Sequence, residues 1–130
     1  MEPLEKQSLR RKIEEYIRAY NAFDVSGMVA TLHPAIEFTN IAQGEVTLTT
    51  QGLDAFQAQA QRATQFFKQR QQTITDIQFA HQRAEVGIDY RGVVAVDLPN
   101  GMKTGDTLEL KGRSIFRFEN NQIISIEDIS

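Results

Sequence analysis

Apolar positions along this chain change period about halfway, and the change predicts the architecture. Ile13, Tyr16, Ile17, Tyr20 and Phe23 recur at helical spacing and predict a first helix from about Pro3 to Ala22. Asp24 is an N-cap for a short second helix that carries Met28, Val29 and Leu32 and stops at Pro34. From Ala35 to Ile41 the period becomes two, with Ile36, Phe38 and Asn40 on one side and Glu37 and Thr39 on the other. Glu45 to Thr50 predicts a short edge strand. After Gly52, the residues Leu53, Phe56, Ala60, Ala63 and Phe67 form one stripe of a third helix, and the glutamines between Gln57 and Gln72 form its polar face. Helical spacing disappears at Thr73. Thr73 to His81 and Ala84 to Asp97 then predict two strands around a turn at Gln82-Arg83, and Pro99-Asn100-Gly101 predicts another turn.

Thr107 to Asp128 predicts a final hairpin. Leu108, Leu110, Gly112, Ser114, Phe116 and Phe118 share one face of its first strand. A two-residue loop at Asn120-Asn121 would place Phe116 opposite Ser125 and Ser114 opposite Glu127, burying Glu127 and exposing Ile124 and Ile126. A Glu119-Asn120-Asn121 loop with Asn121 left-handed at a bulge pairs Phe116 with Ile124, Ser114 with Ile126 and Gly112 with Asp128. The second register is preferred because it keeps the apolar row inside and sets Arg113 opposite Glu127 on the outer face. It leaves Ser114 diagonal to Asp128, turns Asp128 inward, and makes Gly112 the source of space beside it. Lys111, Arg113, Arg117 and Glu119 then point away from the apolar row.

Helices followed by a run of antiparallel strands predict an α+β fold: a cone-shaped curved antiparallel sheet wrapped around three N-terminal helices, enclosing a pocket. With 130 residues and no internal repeat or linker-like stretch, residues 1–130 are expected to form one domain. A formal charge of −3 and a pI near 5.4 argue against binding to a nucleic-acid backbone. The one basic run, Arg10-Arg11-Lys12, lies on the predicted helix beside Glu14 and Glu15 and is read as a solvated face. The absence of cysteine excludes disulfides and thiolate chemistry. Met1 to Leu9 is polar, and no stretch is of membrane-spanning length, so a cytoplasmic protein without a membrane partner is expected.

Candidate chemistry gathers on the predicted inner wall. A wall built only for packing has no use for an aspartate, whereas a ligand cavity does. Asp128 among apolar side chains would have a raised pKa suited to general acid/base work; the alternative is a solvated carboxylate at the chain terminus. Tyr16 can donate a hydrogen bond to a ligand oxygen or serve as a core tyrosine, and Tyr20 beside it presents the same choice. Asn40 can orient a ligand carbonyl or hold the following turn. Ser114 is a small polar group on the same wall, as donor or as packing residue. Phe38, Phe56, Phe67, Phe116 and Ile126 are the expected apolar lining. His33 before Pro34 suits the end of a helix, or borders the cavity mouth, and His81 lies beside a turn. Neither has a carboxylate at metal-ligand spacing, so no metal and no cofactor are expected. Neither a phosphate loop nor a nucleophile elbow occurs.

The order of elements resembles the nuclear-transport-factor-2-like superfamily, which includes ketosteroid isomerases and SnoaL-like polyketide cyclases. The resemblance rests on Tyr16 to Met28, Phe38-Thr39-Asn40 before Gly52, Tyr90 to Gly105, and Ile115-Phe116-Arg117-Phe118. It implies the cone-shaped fold with a largely apolar pocket. Tyr16 falls at the place of the isomerase's oxyanion-hole tyrosine. Asn40 replaces its carboxylate base, and an amide accepts no proton at neutral pH. Ser114 replaces its protonated aspartic acid. The SnoaL-like pattern is closer: Asp128 stands at the similar place to that group's acid/base aspartate, although Glu127 precedes it where an aromatic residue is usual.

The functional expectation is therefore a small-molecule pocket protein. Its first form is a cofactor-independent acid/base isomerase, cyclase or dehydratase acting on a small, largely apolar molecule, with Asp128 moving the proton and Tyr16 and Asn40 holding the oxygen on which charge develops. Its second form is a non-catalytic binding or carrier protein with the same cavity. A dimerisation module of the same fold is a third, and a homodimer through the outer face of the sheet, around Ile115 and Ile123, is compatible with any of these.

Overall fold

Helical spacing of apolar residues produces α1, Leu4–Asn21, which buries Leu9, Ile13, Tyr16 and Ile17 on one side. The structure, a computed structural model, describes residues 4–130, so the expected helix start at Pro3 lies outside the described residues. Phe23 breaks the helix with φ of 59°, and Asp24 N-caps α2, Val25–Val29, by accepting a hydrogen bond from the Gly27 amide at 3.0 Å. This helix is shorter than the sequence pattern predicts. Leu32 and Pro34 belong instead to β1, Leu32–Ala42. Pro34 occupies the irregular stretch between Leu32 and Glu37 where β1 loses register with its neighbour, a place where a missing amide hydrogen costs no ladder bond.

The expected edge strand is β2, Glu45–Gln51, and α3, Leu53–Ala63, follows Gly52. The expected stripe of α3 continues to Phe67, but the helix stops four residues earlier. Thr64 closes its last turn, its hydroxyl donating to the Gln61 carbonyl at 2.6 Å. Phe67 then opens β3, Phe67–Ala80. Gln69, Gln71 and Gln72 are therefore strand residues, and pairing with β4, Arg83–Val94, overrides a pattern that reads locally as a helix face. The turn between them falls at His81-Gln82, one residue before the predicted position, with Gln82 at φ 54°. The strand β4 ends at Val94 rather than Asp97, and the predicted turn at Pro99-Asn100-Gly101 lies in the loop that leads to β5, Thr107–Glu119. The last strand is β6, Gln122–Ile129.

The six strands run in the order β2-β1-β6-β5-β4-β3. The sheet is curved but has two free edges, β2 and β3, so it does not close into a barrel. It is also not wholly antiparallel, because β1 and β6 pair parallel. Distant in sequence, those two strands are joined by no hairpin that would dictate the antiparallel direction. The helices cover one face: α1 packs on β3, and α3 packs on β1 and β2. One core joins Ile13, Ile36, Phe56, Val86, Phe116 and Ile126 between the layers.

The register of the final hairpin differs from both readings of the sequence. Asn120 and Asn121, at φ 52° and 62°, form a two-residue turn with Glu119 opposite Gln122, the left-handed geometry that asparagine tolerates. A bulge then shifts the ladder between Arg117 and Phe118, so that Phe118 faces Ile123, Phe116 faces Ile126 and Ser114 faces Asp128. The bulge sends Ile123 into the core, fully buried, and leaves Ile124 partly exposed. Ile123 thus leaves the outer face, where Ile115 is the remaining isoleucine of the expected pair. Arg113 stands opposite Ile129 rather than Glu127, and its guanidinium meets Glu85 at 3.5 Å. Gly112 serves a close backbone approach rather than space for Asp128: a Cβ there would lie 2.6 Å from the Ile129 carbonyl oxygen.

The bulge makes a direct prediction for stability. Ile123→Ala leaves a cavity in the core and is expected to cost about 2–5 kcal/mol in chemical unfolding. Ile124→Ala is expected to cost under about 1 kcal/mol. The opposite order would place Ile124 inside and contradict the bulged register.

Candidate functional site

Between the helices and the concave face of the sheet lies a cavity of about 400 Å³. Its walls come from every layer: Tyr16 and Tyr20 from α1, Phe56 from α3, Phe38 and Asn40 from β1, Phe67 from β3, Tyr90 from β4, Ser114 from β5 and Asp128 from β6. Period-two alternation explains why the strands deliver these residues together. Phe38 and Asn40 share a face of β1, as do Ser114 and Leu110 on β5. The greater part of the wall is apolar, and among the described residues Asp128 carries the one side-chain carboxylate in it.

Asp128 is set by the hairpin register. Directly opposite it across the ladder, the Ser114 hydroxyl donates to Asp128 Oδ1 at 2.6 Å. Enclosure by the cavity wall disfavours the charged carboxylate and raises its pKa from 3.8 to about 6, and the Ser114 hydrogen bond opposes that rise without cancelling it. At neutral pH the group is mostly ionised, yet it can be protonated at little cost. That is the behaviour a proton carrier needs.

Three tyrosines complete the polar part of the wall. Tyr16 is buried, with its ring edge-on to Phe116 at 5.8 Å between centroids. Burial, and to a lesser degree the Asp128 charge, push its hydroxyl pKa well above the usual value. Burial is also the main cause that raises Tyr20 and Tyr90. All three therefore stay protonated and keep a hydroxyl hydrogen to donate. The Tyr20 and Tyr90 hydroxyls lie 3.0 Å apart and share a hydrogen bond. Arg70 of β3 also lines the cavity, its guanidinium stacked 3.8 Å from the Tyr20 ring centroid.

The structure brings Asp128, Tyr16, Tyr20, Asn40, Ser114, Phe38, Phe56 and Phe67 to one cavity. Phe116 and Ile126 are not among its lining residues; both are fully buried in the core behind it. Asn40 lines the cavity, and its Nδ2 donates to the Thr47 hydroxyl across the β1–β2 pair at 2.8 Å. His33 lies in β1, not at a helix end: its Nδ1 accepts from the Ala35 amide at 2.9 Å, and it is absent from the cavity wall. His81 is exposed and meets Glu5 at 3.3 Å. Among the described residues no cluster of histidine and carboxylate side chains is placed to hold a metal ion. Sequence reasoning missed Arg70, Gln72 and Tyr90. The signal was present, since Arg70, Gln72 and Ile74 follow period two, but the assignment of Gln57–Gln72 to one helix hid it.

Comparison with known proteins agrees with this architecture. A family model described as a SnoaL-like domain matches residues 13–126. No curated protein sequence matches the chain. Among solved structures, the chain is similar to TsrD from Streptomyces laurentii, with a TM-score of 0.79 at 17% identity over 97% of this chain and 90% of that one. A candidate polyketide cyclase from Xanthomonas campestris pv. campestris is similar with a TM-score of 0.75 at 22% identity, over 95% of this chain and 90% of that one. A protein with a ketosteroid isomerase-like fold from Catenulispora acidiphila, solved with trimethylamine, gives 0.72 at 14% identity over 90% and 82% of the two chains.

The raised pKa of Asp128 has a signed consequence for stability. The folded state holds this proton more tightly than the unfolded chain does, so the favourable contribution is complete below pH 3.8 and is lost as pH rises through about 6. Asp128→Asn removes the titration, and the unfolding free energy of the wild type is expected to fall relative to the variant by up to about 3 kcal/mol between pH 3.5 and 8. A difference that does not change with pH would mean that the carboxyl is solvated.

Proposed function

We propose a function from one premise: the chain belongs to the SnoaL-like domain family. It has a small-molecule pocket fold. On that basis the chain acts as one domain over residues 1–130, as a cofactor-independent acid/base enzyme that isomerises, cyclises or dehydrates a small, largely apolar substrate. The observation that carries this reading is the Asp128 carboxylate, enclosed in an apolar cavity wall and held by Ser114. Ionised Asp128 would take a proton from a carbon next to a carbonyl, and the electron pair would move onto the carbonyl oxygen. The protonated Tyr16 hydroxyl and the Asn40 amide would hold that oxygen as charge develops. Protonated Asp128 would then return the proton at a second position or to a leaving hydroxyl.

One observation favours a second reading, a non-catalytic binding or carrier protein. Asn40 stands where an isomerase of this fold has its carboxylate, and among the described residues no acidic side chain besides Asp128 faces the cavity. The similar protein solved in complex with trimethylamine supports ligand occupancy of such a fold. Proton exchange separates the two. Deuterium exchange at the α-carbon of 2-tetralone, a bicyclic ketone sized for this cavity, is the probe, followed by NMR. The enzyme reading expects acceleration that rises with pH through about 6 and falls at least about 100-fold in Asp128→Asn. Binding of 2-tetralone with no acceleration would assign the protein to the carrier class.

A homodimer and a cytoplasmic location belong to the same reading. Support for the dimer comes from the outer face of β4 and β5, where Arg113–Glu85 and Lys111–Asp89 offer both signs of charge. Light scattering is expected to give twice the chain mass of 14.7 kDa; a wild-type mass of one chain would contradict the dimer.

A further inference from the structure

We propose that Arg70, with the Tyr20–Tyr90 hydroxyl pair, forms a carboxylate-binding subsite of the cavity, so that the natural ligand is a small apolar acid. This deepens the pocket function proposed above and rests on it. Arg70 is only 5% exposed. Its Nε donates to the Tyr20 carbonyl at 2.8 Å, and the guanidinium lies between two rings, 3.8 Å from the Tyr20 centroid and 4.5 Å from that of Phe23. Its Nη2 is buried with no hydrogen-bond partner. None of the ion pairs among the described residues involves Arg70. Arginine does not shed its proton in proteins. A buried, permanent cation with aromatic neighbours but no counter-ion is costly, and stacking on rings offsets only part of that cost. A ligand anion would complete the site.

The neighbouring groups select the kind of anion. Tyr20 and Tyr90 share one hydrogen in the bond between their hydroxyls, which leaves the other hydroxyl hydrogen free to donate. Together with the guanidinium, that makes two adjacent kinds of donor on the cavity wall, matched to the two oxygens of a carboxylate. The rest of the wall, from Phe38, Phe56, Phe67 and Ile88, suits an apolar body. Asp128 would repel a carboxylate placed next to it, so the acid group is expected at the Arg70 side and the reacting carbon toward Asp128. Arg70 also borders a separate cleft of about 280 Å³ that includes Lys68 and Arg91, and the test must distinguish the two locations.

Titration of the isotopically labelled wild-type protein with 2-naphthoate and with the isosteric neutral 2-naphthamide makes that test. The acid is expected to bind at least about tenfold more tightly than the amide, the gain of one charge-assisted contact. It should shift the Arg70 Nε–H signal and the ring signals of Tyr20 and Tyr90. Arg70→Gln is expected to abolish the preference. Should Arg70→Gln fail to fold, the wild-type acid-to-amide ratio and the shift map still decide. Equal affinities, absence of naphthoate binding, or shifts confined to Lys68 and Arg91 would overturn the subsite. A tenfold acid preference without ketone exchange would remove the acid/base reading and leave the subsite standing; exchange without the preference would do the reverse.

Discussion

The cross-strand pair of Ser114 and Asp128 is the contact on which the rest of this site depends. A carboxylate enclosed by apolar walls is unstable unless something receives its lone pairs. Here one short hydrogen bond does so, between residues placed opposite each other by the ladder of β5 and β6. The group is left with a pKa near 6, between a solvated acid and a permanently neutral one. The bulge beside Phe118 makes the pairing possible. One extra residue on β6 lets Ile123 and Ile126 both enter the core although they are three apart, and it delivers Asp128 rather than Glu127 to the inner face.

The cavity is electrostatically divided. Among the described residues, two arginines, Arg70 and Arg113, and one titratable side-chain acid line a common space, with three phenols that burial keeps protonated. The charges of Arg70 and Asp128 both act on Tyr16, Tyr20 and Tyr90 in opposite senses. Such a wall can orient a polar end of an otherwise apolar molecule, because electrostatic interactions are stronger in an enclosed site than in water. The outer face of the sheet has the opposite character, with Arg91–Glu109 and Lys111–Asp89 pairs open to solvent, where ion pairs add little to stability.

The sequence revealed what depends on long, regular patterns. The stripe of α1, the capping aspartate of α2 and the alternation of β1 were all legible, because each follows from periodicity or from one capping bond, whereas Asp128 reaches the inner face through a bulge that the pattern does not show. It misled where tertiary pairing competes with local pattern. Phe67 continues a helical stripe by spacing yet opens a strand, and that misreading concealed Arg70. The parallel pairing of β1 with β6 is set by neighbours distant in the chain and has no local signature. The bulge at Ile124 is likewise silent: Ile123 and Ile124 are identical side chains, and only ladder geometry decides which of them enters the core.

The central claim is that the Asp128 carboxyl is enclosed and held by Ser114, and its own titration tests this most directly. Carbon-13 NMR of the Asp128 side-chain carboxyl in the wild-type protein is predicted to show a midpoint near pH 6, moving higher in Ser114→Ala as the hydrogen bond to the charged form is lost. A midpoint near 4 in both proteins, the value of an aspartate in water, would contradict the account.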